Sequence, residues 1–438
     1  MIMPLARFPK SAATLALAVC AALSLDPGRI PERPSKTPAR ATFRQVRSLR
    51  VERPRLGRRG VRYAADRVLV RFRPEVSGEY ARGLLRSYGF PAVRSIPAIG
   101  IYSVETAPGV TVAETLAMLR RNGDIEQARP DYRARLADVP NDTYFVSYQY
   151  NLRNRGFILN ISPDIQPQTT AGADIKAVPA WDVTTGPAET DPLSSAVTIA
   201  VVDTGVDRTH LELAGKVVSA GRDFANDDMD ADDDHWHGTH IAGIAAADTD
   251  NGEGIAGVAW NCRILPVKVT DENGDGYYSW IIDGIIWAAD QGADVINLSL
   301  GGDVDDPFLA DACAYAYAKG AVVVAAAGND GTVGVLYPAA YDDYVLAVAA
   351  SDYNDEIASF SNSGPEVDVA APGVWILGPA PQWYVGDGEL PYLFASGTSA
   401  ASPHVAGMAA LIKSAKPGLG AGDVMKLIRY TADDINRA

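Results

Sequence analysis

The run Val197-Thr198-Ile199-Ala200-Val201-Val202-Asp203-Thr204-Gly205 indicates the fold class of this chain. Its apolar part is short, rich in β-branched residues, and shows no alternation of polar and apolar positions. Such runs are typical of parallel strands that are buried on both faces of a sheet. Three further runs of this kind follow, at residues 264–269, 295–298 and 321–326. We therefore expect a parallel sheet in the interior of the protein.

Segments with helical spacing separate these runs, at residues 237–247, 279–291 and 308–319. Strands that alternate with helices predict an α/β fold, with a parallel β-sheet and helices on both of its faces. Ligands bind such sheets beyond the carboxyl ends of the strands. Asp203 directly follows the first strand and Asn329 follows the fourth, so we expect the chemistry at that edge.

A second stretch, Ser396-Gly397-Thr398-Ser399-Ala400-Ala401-Ser402-Pro403-His404-Val405-Ala406-Gly407, places a serine where a helix begins. Free backbone N–H groups and a partial positive charge at a helix N-terminus favour a developing oxyanion. A serine nucleophile also needs a base, and the base needs a group that orients it. Asp203, His237 and Ser399 supply these three groups in chain order.

Each of these residues also has a simpler interpretation. A lone Asp or Ser at such a position often caps a helix, and a lone Asn often occupies a left-handed turn. His237 and His240 have a spacing that suits zinc, but no third ligand with suitable spacing is evident. An α/β-hydrolase requires G-x-S-x-G, and Gly397-Thr398-Ser399-Ala400-Ala401 lacks the second glycine.

The blocks around Asp203, His237 and Ser399, together with Ala325-Ala326-Ala327-Gly328-Asn329, resemble those of the subtilisin-like serine proteases (subtilases). The resemblance extends from about Pro140 to the C-terminus. It implies peptide hydrolysis by an Asp–His–Ser triad, with Asn329 as an oxyanion donor. It also implies a substrate groove that accepts a large apolar or aromatic P1 side chain, although Asp330 leaves a basic P1 residue open. The implied groove residues are Ser299, Leu300, Gly301, Gly302, Ala326 and Gly328.

The same resemblance implies structural calcium, with Asp142, Glu212, Asn251 and carbonyl groups of the loop 250–255 as ligands. The family has Asp where this chain has Glu212. A second candidate is an acidic loop whose alternating oxygen ligands suit calcium and whose carboxylates repel one another without a cation. A solvated acidic loop is the other interpretation of this second stretch. Its candidate ligands are Asp223, Asn226, Asp228, Asp230 and Asp232.

The front of the chain predicts targeting and maturation. Residues 1–25 combine a basic start with an apolar run that is typical of a secretory signal, and the run is too short to predict a stable membrane anchor. We expect an extracellular protein; a periplasmic location, or a lipid anchor at Cys20, is a less favoured alternative. Residues 26–62 are rich in arginine and proline and predict disorder.

Residues 63–136 read as β-α-β…α-β, which predicts a small α+β, ferredoxin-like domain. This segment resembles the inhibitor-type propeptide of subtilases, which implies cleavage near Leu136-Ala137 or shortly after. Residues 137–438 would then form the catalytic domain. The resemblance implies that the propeptide acts as an intramolecular inhibitor of that domain.

The charge of the 438 residues is unevenly distributed around a net value of −15. Residues 1–140 carry about +13 and the remainder about −28. We expect the basic front to be attracted to the acidic back, and we do not expect a nucleic-acid partner. Whether Cys262 and Cys313 form a disulfide is left open.

We thus expect a monomeric, secreted endopeptidase that is made as a self-processing zymogen and acts on proteins and peptides. A processing protease of narrow specificity is an alternative. A pseudoprotease that binds peptides or calcium without cleavage is a second alternative, which the intact set of four site residues argues against.

Overall fold

The computed structural model describes residues 11–12, 63–90, 93–132, 139–187, 197–218 and 221–434. Two compact units form, one from Leu56–Leu136 and the other from Met1–Arg55 with Ala137–Ala438. Apart from the two-residue strand Ser11–Ala12 (β1), the predicted signal segment and the arginine- and proline-rich segment lie outside the described residues. The predicted cleavage point at Leu136-Ala137 also lies outside them.

The smaller unit is a four-stranded antiparallel sheet with two helices. Its strands are Tyr63–Phe72 (β2), Val93–Ile96 (β3), Ile101–Glu105 (β4) and Ile125–Tyr132 (β5), in the spatial order β3-β4-β2-β5. The helices are Gly78–Ser87 (α1) and Val112–Leu119 (α2). Thr111 and Glu114 form the reciprocal cap of α2 that their spacing predicts. The predicted order of elements is confirmed, with β3 as an addition.

The larger unit is organised around seven parallel strands. These strands are Thr198–Asp203 (β6), Arg222–Asp223 (β7), Arg263–Lys268 (β8), Val295–Leu298 (β9), Val322–Ala326 (β10), Val345–Ser351 (β11) and Val369–Pro372 (β12). Their order across the sheet is β12-β11-β10-β9-β6-β8-β7. A hairpin of Ile376–Pro379 (β13) and Tyr392–Ala395 (β14) follows them. At the β12 edge, β1 and Asp433–Asp434 (β15) extend the sheet.

Helices cover both faces of this sheet, as the sequence predicts. Alternate residues of β6 enter two cores: Ile199 and Val201 face one, while Ala200 and Val202 face the other. The first core contains His237–Ala246 (α5) and Thr398–Ala415 (α9), and the second contains Tyr278–Asp290 (α6) and Pro307–Ala318 (α7). The remaining helices are Phe145–Tyr148 (α3), Ala177–Trp181 (α4), Gln382–Val385 (α8) and Ala421–Thr431 (α10).

Two further features bear on the predictions from sequence. Cys262 and Cys313 are buried free thiols, so they do not form a disulfide. Within the described part of the chain, no helix is both long enough and apolar enough to cross a lipid bilayer.

Candidate active site

Asp203 and His237 meet at the carboxyl edge of the sheet. Asp203 is the last residue of β6 and His237 is the first residue of α5, and the His237 Nδ1 atom lies 2.6 Å from Asp203 Oδ1. The aspartate side chain is 2% exposed, and its Oδ1 also accepts the Thr204 N–H at 2.8 Å. With Nδ1 donating to the carboxylate, the Nε2 atom of the imidazole is free to take up a proton.

The surroundings of His237 make it a stronger base. Burial by itself lowers the pKa of His237, but the negative charge of Asp203 and its hydrogen bond outweigh burial, and Asp233 adds to their effect. The pKa of His237 is therefore raised above its usual value of 6.5. The imidazole remains 21% exposed, so one side of it is accessible.

Asp233 holds the start of α5 in place. This buried carboxylate accepts the hydroxyl of Thr204 at 2.7 Å and the hydroxyl of Thr239 at 2.6 Å. It also accepts the backbone N–H groups of His235, Trp236 and Thr239 at 2.9–3.0 Å. One side chain thus joins the turn after β6 to the first turn of α5. Asp233 was not predicted from the sequence, because it lies within a run of acidic residues. Its position four residues before the first residue of α5 was the feature that indicates a role at the start of that helix.

Ser399 lies in the first turn of α9 and is partly exposed. The neighbouring Gly397 has no side chain, and this leaves a small space next to its Cα atom. A Cβ atom in that space would lie 3.4 Å from Asn329 Nδ2 and 3.6 Å from the Ser399 nitrogen. Asn329 Oδ1 accepts the N–H and the hydroxyl of Thr398 at 2.8 and 2.9 Å. These bonds fix the amide, and Nδ2 has no acceptor among the residues that the structure describes. Asn329 Nδ2 and the Ser399 N–H therefore border the same space.

A buried polar network supports the backbone of Ser399. Pro403 lies inside α9 and has no N–H to donate to the Ser399 carbonyl four residues earlier. Ser299 Oγ donates to that carbonyl instead, at 2.8 Å. Asn297 donates to Ser299 at 3.0 Å and accepts the Ser402 hydroxyl at 2.8 Å. The hydroxyls of Ser299 and Ser402 lie 3.0 Å apart, so the three side chains form a closed ring of hydrogen bonds.

The predicted groove residues separate into two groups. Ser299 and Ala326 are each only 5% exposed, and Ser299 faces the network under Ser399. Gly328 is also buried, whereas the segment Leu300, Gly301 and Gly302 lies nearer the surface. Gly302 already pairs with Tyr337 through its N–H and its carbonyl, so a chain bound along this segment would pair with Leu300 and Gly301.

Leu336, which sequence reasoning missed, lies between the two glycine segments. A Cβ atom on Gly301 would meet its side chain at 3.0 Å, and one on Gly328 would meet it at 2.8 Å. The Leu336 N–H donates to the Ala327 carbonyl at 3.0 Å, and Tyr337 pairs with Gly302 through two bonds of 2.9 Å. The space between the segments is consequently narrower than the sequence suggested.

Hydrogen bonds to Asn362 hold Asp330 beside the space between Gly301 and Gly328. The buried Asn362 accepts the Asp330 N–H at 2.8 Å and donates to its carboxylate at 3.3 Å. The Asn362 N–H also donates to the Gly328 carbonyl at 2.9 Å. Asn362 therefore braces the turn that carries Asn329.

The first predicted calcium ligands come together beside the loop 248–255. Both carboxylate oxygens of Asp142 accept the Asp250 N–H, at 3.1 and 3.0 Å. Glu212 Oε1 accepts the Tyr392 hydroxyl at 2.7 Å and the Ile255 N–H at 2.9 Å. Asn251 is exposed, and its Oδ1 accepts the Glu253 N–H at 2.8 Å.

This donor set fits a calcium ion. Glu212 is fully buried, and its Oε2 has no hydrogen-bond partner among the residues described. Burial raises the pKa of Asp142 to about 6 and that of Glu212 to about 7, and Asp142 adds to the shift of Glu212. A nearby cation would offset the free-energy cost of burying these two carboxylates. Across the described ranges no three His, Cys, Asp or Glu side chains form a metal site, but calcium also uses carbonyl and amide oxygens.

In the second predicted calcium loop, protein groups already occupy several of the candidate ligand oxygens. Arg208 pairs with Asp230 at 2.7 Å and with Asp232 at 2.8 Å. Asp228 accepts the Asp230 N–H at 2.8 Å. Asp223 is buried and accepts the two N–H groups of residues 225 and 226, together with the Asn226 amide. The arginine reduces the need for a cation, so the loop supports the calcium prediction less well than the first site.

The neighbouring histidines have separate hydrogen-bond partners. His240 Nε2 lies 3.2 Å from the Ile376 carbonyl, and burial lowers its pKa to about 3. His404 joins the Ala400 carbonyl at 2.9 Å to the Asn151 amide at 2.7 Å, and burial lowers its pKa to about 4. Both are held as neutral packing residues, and His237 and His240 do not share a site.

The structure places an Asp–His pair and a serine in the first turn of a helix at the same edge of the sheet, which are the groups that a serine hydrolase requires. Residues 194–438 match the Subtilase family, and residues 55–131 match the fervidolysin N-terminal prodomain. The chain therefore belongs to the subtilase family of serine peptidases and carries an N-terminal prodomain.

Individual relatives agree with this family. The chain is 44% identical over 378 residues to the thermophilic serine proteinase of Bacillus sp. (strain AK1), which covers 85% of this chain and 84% of that protein. It is 46% identical over 298 residues to thermitase of Thermoactinomyces vulgaris, covering 68% and 93%. A solved protease structure from Pseudoalteromonas arctica is 34% identical with a TM-score of 0.54, covering 66% of this chain and 91% of that one.

Proposed function

We propose that this protein is a serine endopeptidase in which Asp203, His237 and Ser399 form the catalytic triad. The observation that carries the proposal is the 2.6 Å contact between His237 and Asp203 at the same sheet edge as Ser399. His237 Nε2 takes the Ser399 proton while Oγ attacks the peptide carbonyl. The Ser399 N–H and Asn329 Nδ2 hold the oxyanion, and His237 then protonates the leaving amine. A water molecule repeats the sequence and releases the acid.

The groove residues Leu300 and Gly301 would pair with the substrate backbone as an added strand, because Gly302 is already paired with Tyr337. The P1 side chain would enter the space between Gly301 and Gly328. Because Leu336 occupies part of that space, we propose a small or medium apolar P1 residue in place of a large aromatic one.

We propose that the protein is secreted as a zymogen and acts as a monomer. The match to a prodomain and the opposite charges of the front and back of the chain support the zymogen. Cleavage near Leu136-Ala137 would separate prodomain from peptidase, and the released prodomain would inhibit the enzyme. Secretion rests on the sequence of residues 1–25.

We also propose one structural calcium ion, held by Asp142, Glu212 and oxygens of the loop 248–255. The orphaned Glu212 Oε2 and the cost of two buried carboxylates support this site. The ion would stabilise the segment that precedes α3 and would take no part in the chemistry.

The intact mass of the purified wild type beside Ser399→Ala tests the proposal. We expect the wild type to lose the segment up to about Leu136 and the variant to remain full length. A variant that matures and hydrolyses casein would show that Ser399 is not the nucleophile. A wild type that neither matures nor acts on casein would favour a binding protein, whereas maturation without casein hydrolysis would favour a narrow processing protease.

A further inference from the structure

The β13–β14 hairpin brings an aromatic loop next to the catalytic histidine. The hairpin packs on α5, because Gly378 faces the ring of His240 so closely that a Cβ atom would lie 2.5 Å from it. The His240 Nε2 also contacts the Ile376 carbonyl of β13 at 3.2 Å. His240 lies one helical turn after His237, so the loop between the two strands is positioned from the helix that carries the base.

This loop, residues 380–391, is folded on itself and exposes two aromatic side chains. Gln382 Nε2 donates to the carbonyls of Gly386 and Glu389 at 2.6 and 3.2 Å. Trp383 is 58% exposed and Tyr384 is 47% exposed, and their rings meet edge to face at 5.9 Å. Two large neighbouring apolar side chains that are left in solvent commonly mark a binding surface.

Trp236 links these rings to the catalytic histidine. Its indole stacks on the ring of His235 with centroids 5.5 Å apart, and it contacts the tilted ring of Tyr384 at 5.6 Å. It also meets the His237 imidazole edge-on at 5.6 Å. Its backbone has φ +119°, a conformation that is unusual for a bulky residue. Such strain persists where the surrounding structure enforces it and is concentrated at functional sites. We call Trp236, Trp383 and Tyr384 the aromatic cluster.

We infer that the aromatic cluster is a specificity surface that binds an aromatic side chain at P1′, the first substrate residue after the cleaved bond. The inference rests on the proposed triad. In that reaction His237 gives its proton to the leaving amine, so the leaving residue must lie on the His237 side of Ser399. Trp236 joins the cluster to the partly exposed His237 imidazole, and an aromatic P1′ ring would pack against Tyr384 and Trp383 in offset or edge-to-face contact.

Acyl transfer tests this inference with the matured enzyme. A peptide methyl ester forms the acyl-enzyme, which is partitioned between water and an added amide, either phenylalaninamide or glycinamide. The ratio of transfer to hydrolysis is measured within one reaction, so it does not depend on the total rate. We expect the wild type to favour phenylalaninamide over glycinamide by about tenfold, which is the size of one aromatic contact.

The variants are Trp383→Ala and Tyr384→Ala, with Leu390→Ala as the matched control, because Leu390 is an exposed apolar residue of the same loop outside the cluster. We expect either aromatic variant to reduce the preference to about threefold or less, and the control to retain it. A wild type without preference, or a preference that survives both substitutions, would overturn the inference. It would also be overturned if the variants changed selectivity only for the P2 residue of the ester.

Failure of the proposed function has a different result. If the triad assignment is wrong, Ser399→Ala still hydrolyses the methyl ester. If only the inference is wrong, the wild type hydrolyses the ester, Ser399→Ala does not, and the choice of amide has no effect.

Discussion

The hydroxyl of Ser299 donates a 2.8 Å hydrogen bond to the backbone carbonyl of Ser399. This bond replaces the one that Pro403 cannot make within α9. The start of the helix is therefore held from the neighbouring strand β9 through Asn297 and Ser299. Because Ser399 also offers its N–H toward the oxyanion space, the bond links the packing of the sheet to the geometry of the proposed nucleophile.

Ser299→Ala should weaken both stability and activity. The substitution leaves the Ser399 carbonyl and the Asn297 amide without a partner in a buried place, at a cost of about 1–3 kcal/mol. We expect the Tm of the inactive Ser399→Ala background to fall by several degrees, and kcat/KM of the active enzyme to fall about tenfold. Ser299→Thr keeps the hydroxyl and should recover most of the loss; Ser359→Ala, at an exposed serine, is the surface control. Equal Tm values for Ser299→Ala and its parent would disprove the role of this bond.

The pH dependence of kcat/KM should reflect the pKa of His237, which Asp203 raises. His237 acts as a base only when neutral, and its raised pKa keeps it protonated to higher pH, so kcat/KM should rise with pH through a midpoint above 6.5. Asp203→Asn removes the charge that stabilises the imidazolium. We expect kcat to fall by about 10⁴ and the midpoint to move to lower pH. A midpoint that stays in place in Asp203→Asn would mean that another group controls the profile.

Asn329→Ala should lower kcat with little change in KM. In the proposed reaction negative charge develops in the space that the Nδ2 donor borders, so its hydrogen bond would strengthen in the transition state. We expect a loss of about 10²–10³ in kcat, measured with a peptide ester under saturating conditions. Asn362→Ala should act through the position of the turn and should also lower Tm. A loss for Asn329→Ala that appears only in KM would contradict the oxyanion assignment.

Leu336→Gly should enlarge the P1 space. We expect the ratio of kcat/KM for phenylalanine over alanine at P1 to rise by about tenfold or more, because the removed side chain lies against both Gly301 and Gly328. The measurement uses peptide esters that differ only at P1. An unchanged ratio would show that the P1 side chain binds elsewhere.

Chelation should destabilise the protein through the Asp142–Glu212 site. At calcium concentrations about 100 times Kd, binding contributes roughly 2.7 kcal/mol. We expect a chelator to lower the Tm of Ser399→Ala by roughly 5–10 °C. Glu212→Gln, added to that variant, should abolish the response, whereas Asp230→Asn, at a residue that pairs with Arg208, should keep it. A Tm without any response to chelation would remove the calcium proposal.

Strand and helix positions could be predicted closely from the sequence. The runs at 197–202 and 295–298 became β6 and β9 to within a residue, because a parallel strand buried on both faces leaves a continuous apolar signal. The hairpin β13–β14 was not predicted, since its strands are short and its tip carries no periodic pattern. The narrowing of the groove by Leu336 was also missed. Leu336 reaches the groove only because it bonds to Ala327 and the next residue, Tyr337, bonds to Gly302, and these pairings are not local in sequence.

The order of Asp203, His237 and Ser399 was available from the sequence alone, as was the edge of the sheet where they would lie. Local patterns determine which residues end strands or begin helices, and parallel topology then brings those ends together. Only the tertiary structure decided which side chains contact each other: Asp233 at the start of α5, Ser299 at the Ser399 carbonyl, and the aromatic cluster beside His237. These contacts join segments that are far apart in sequence, and their selection depends on packing between elements, which no local pattern records.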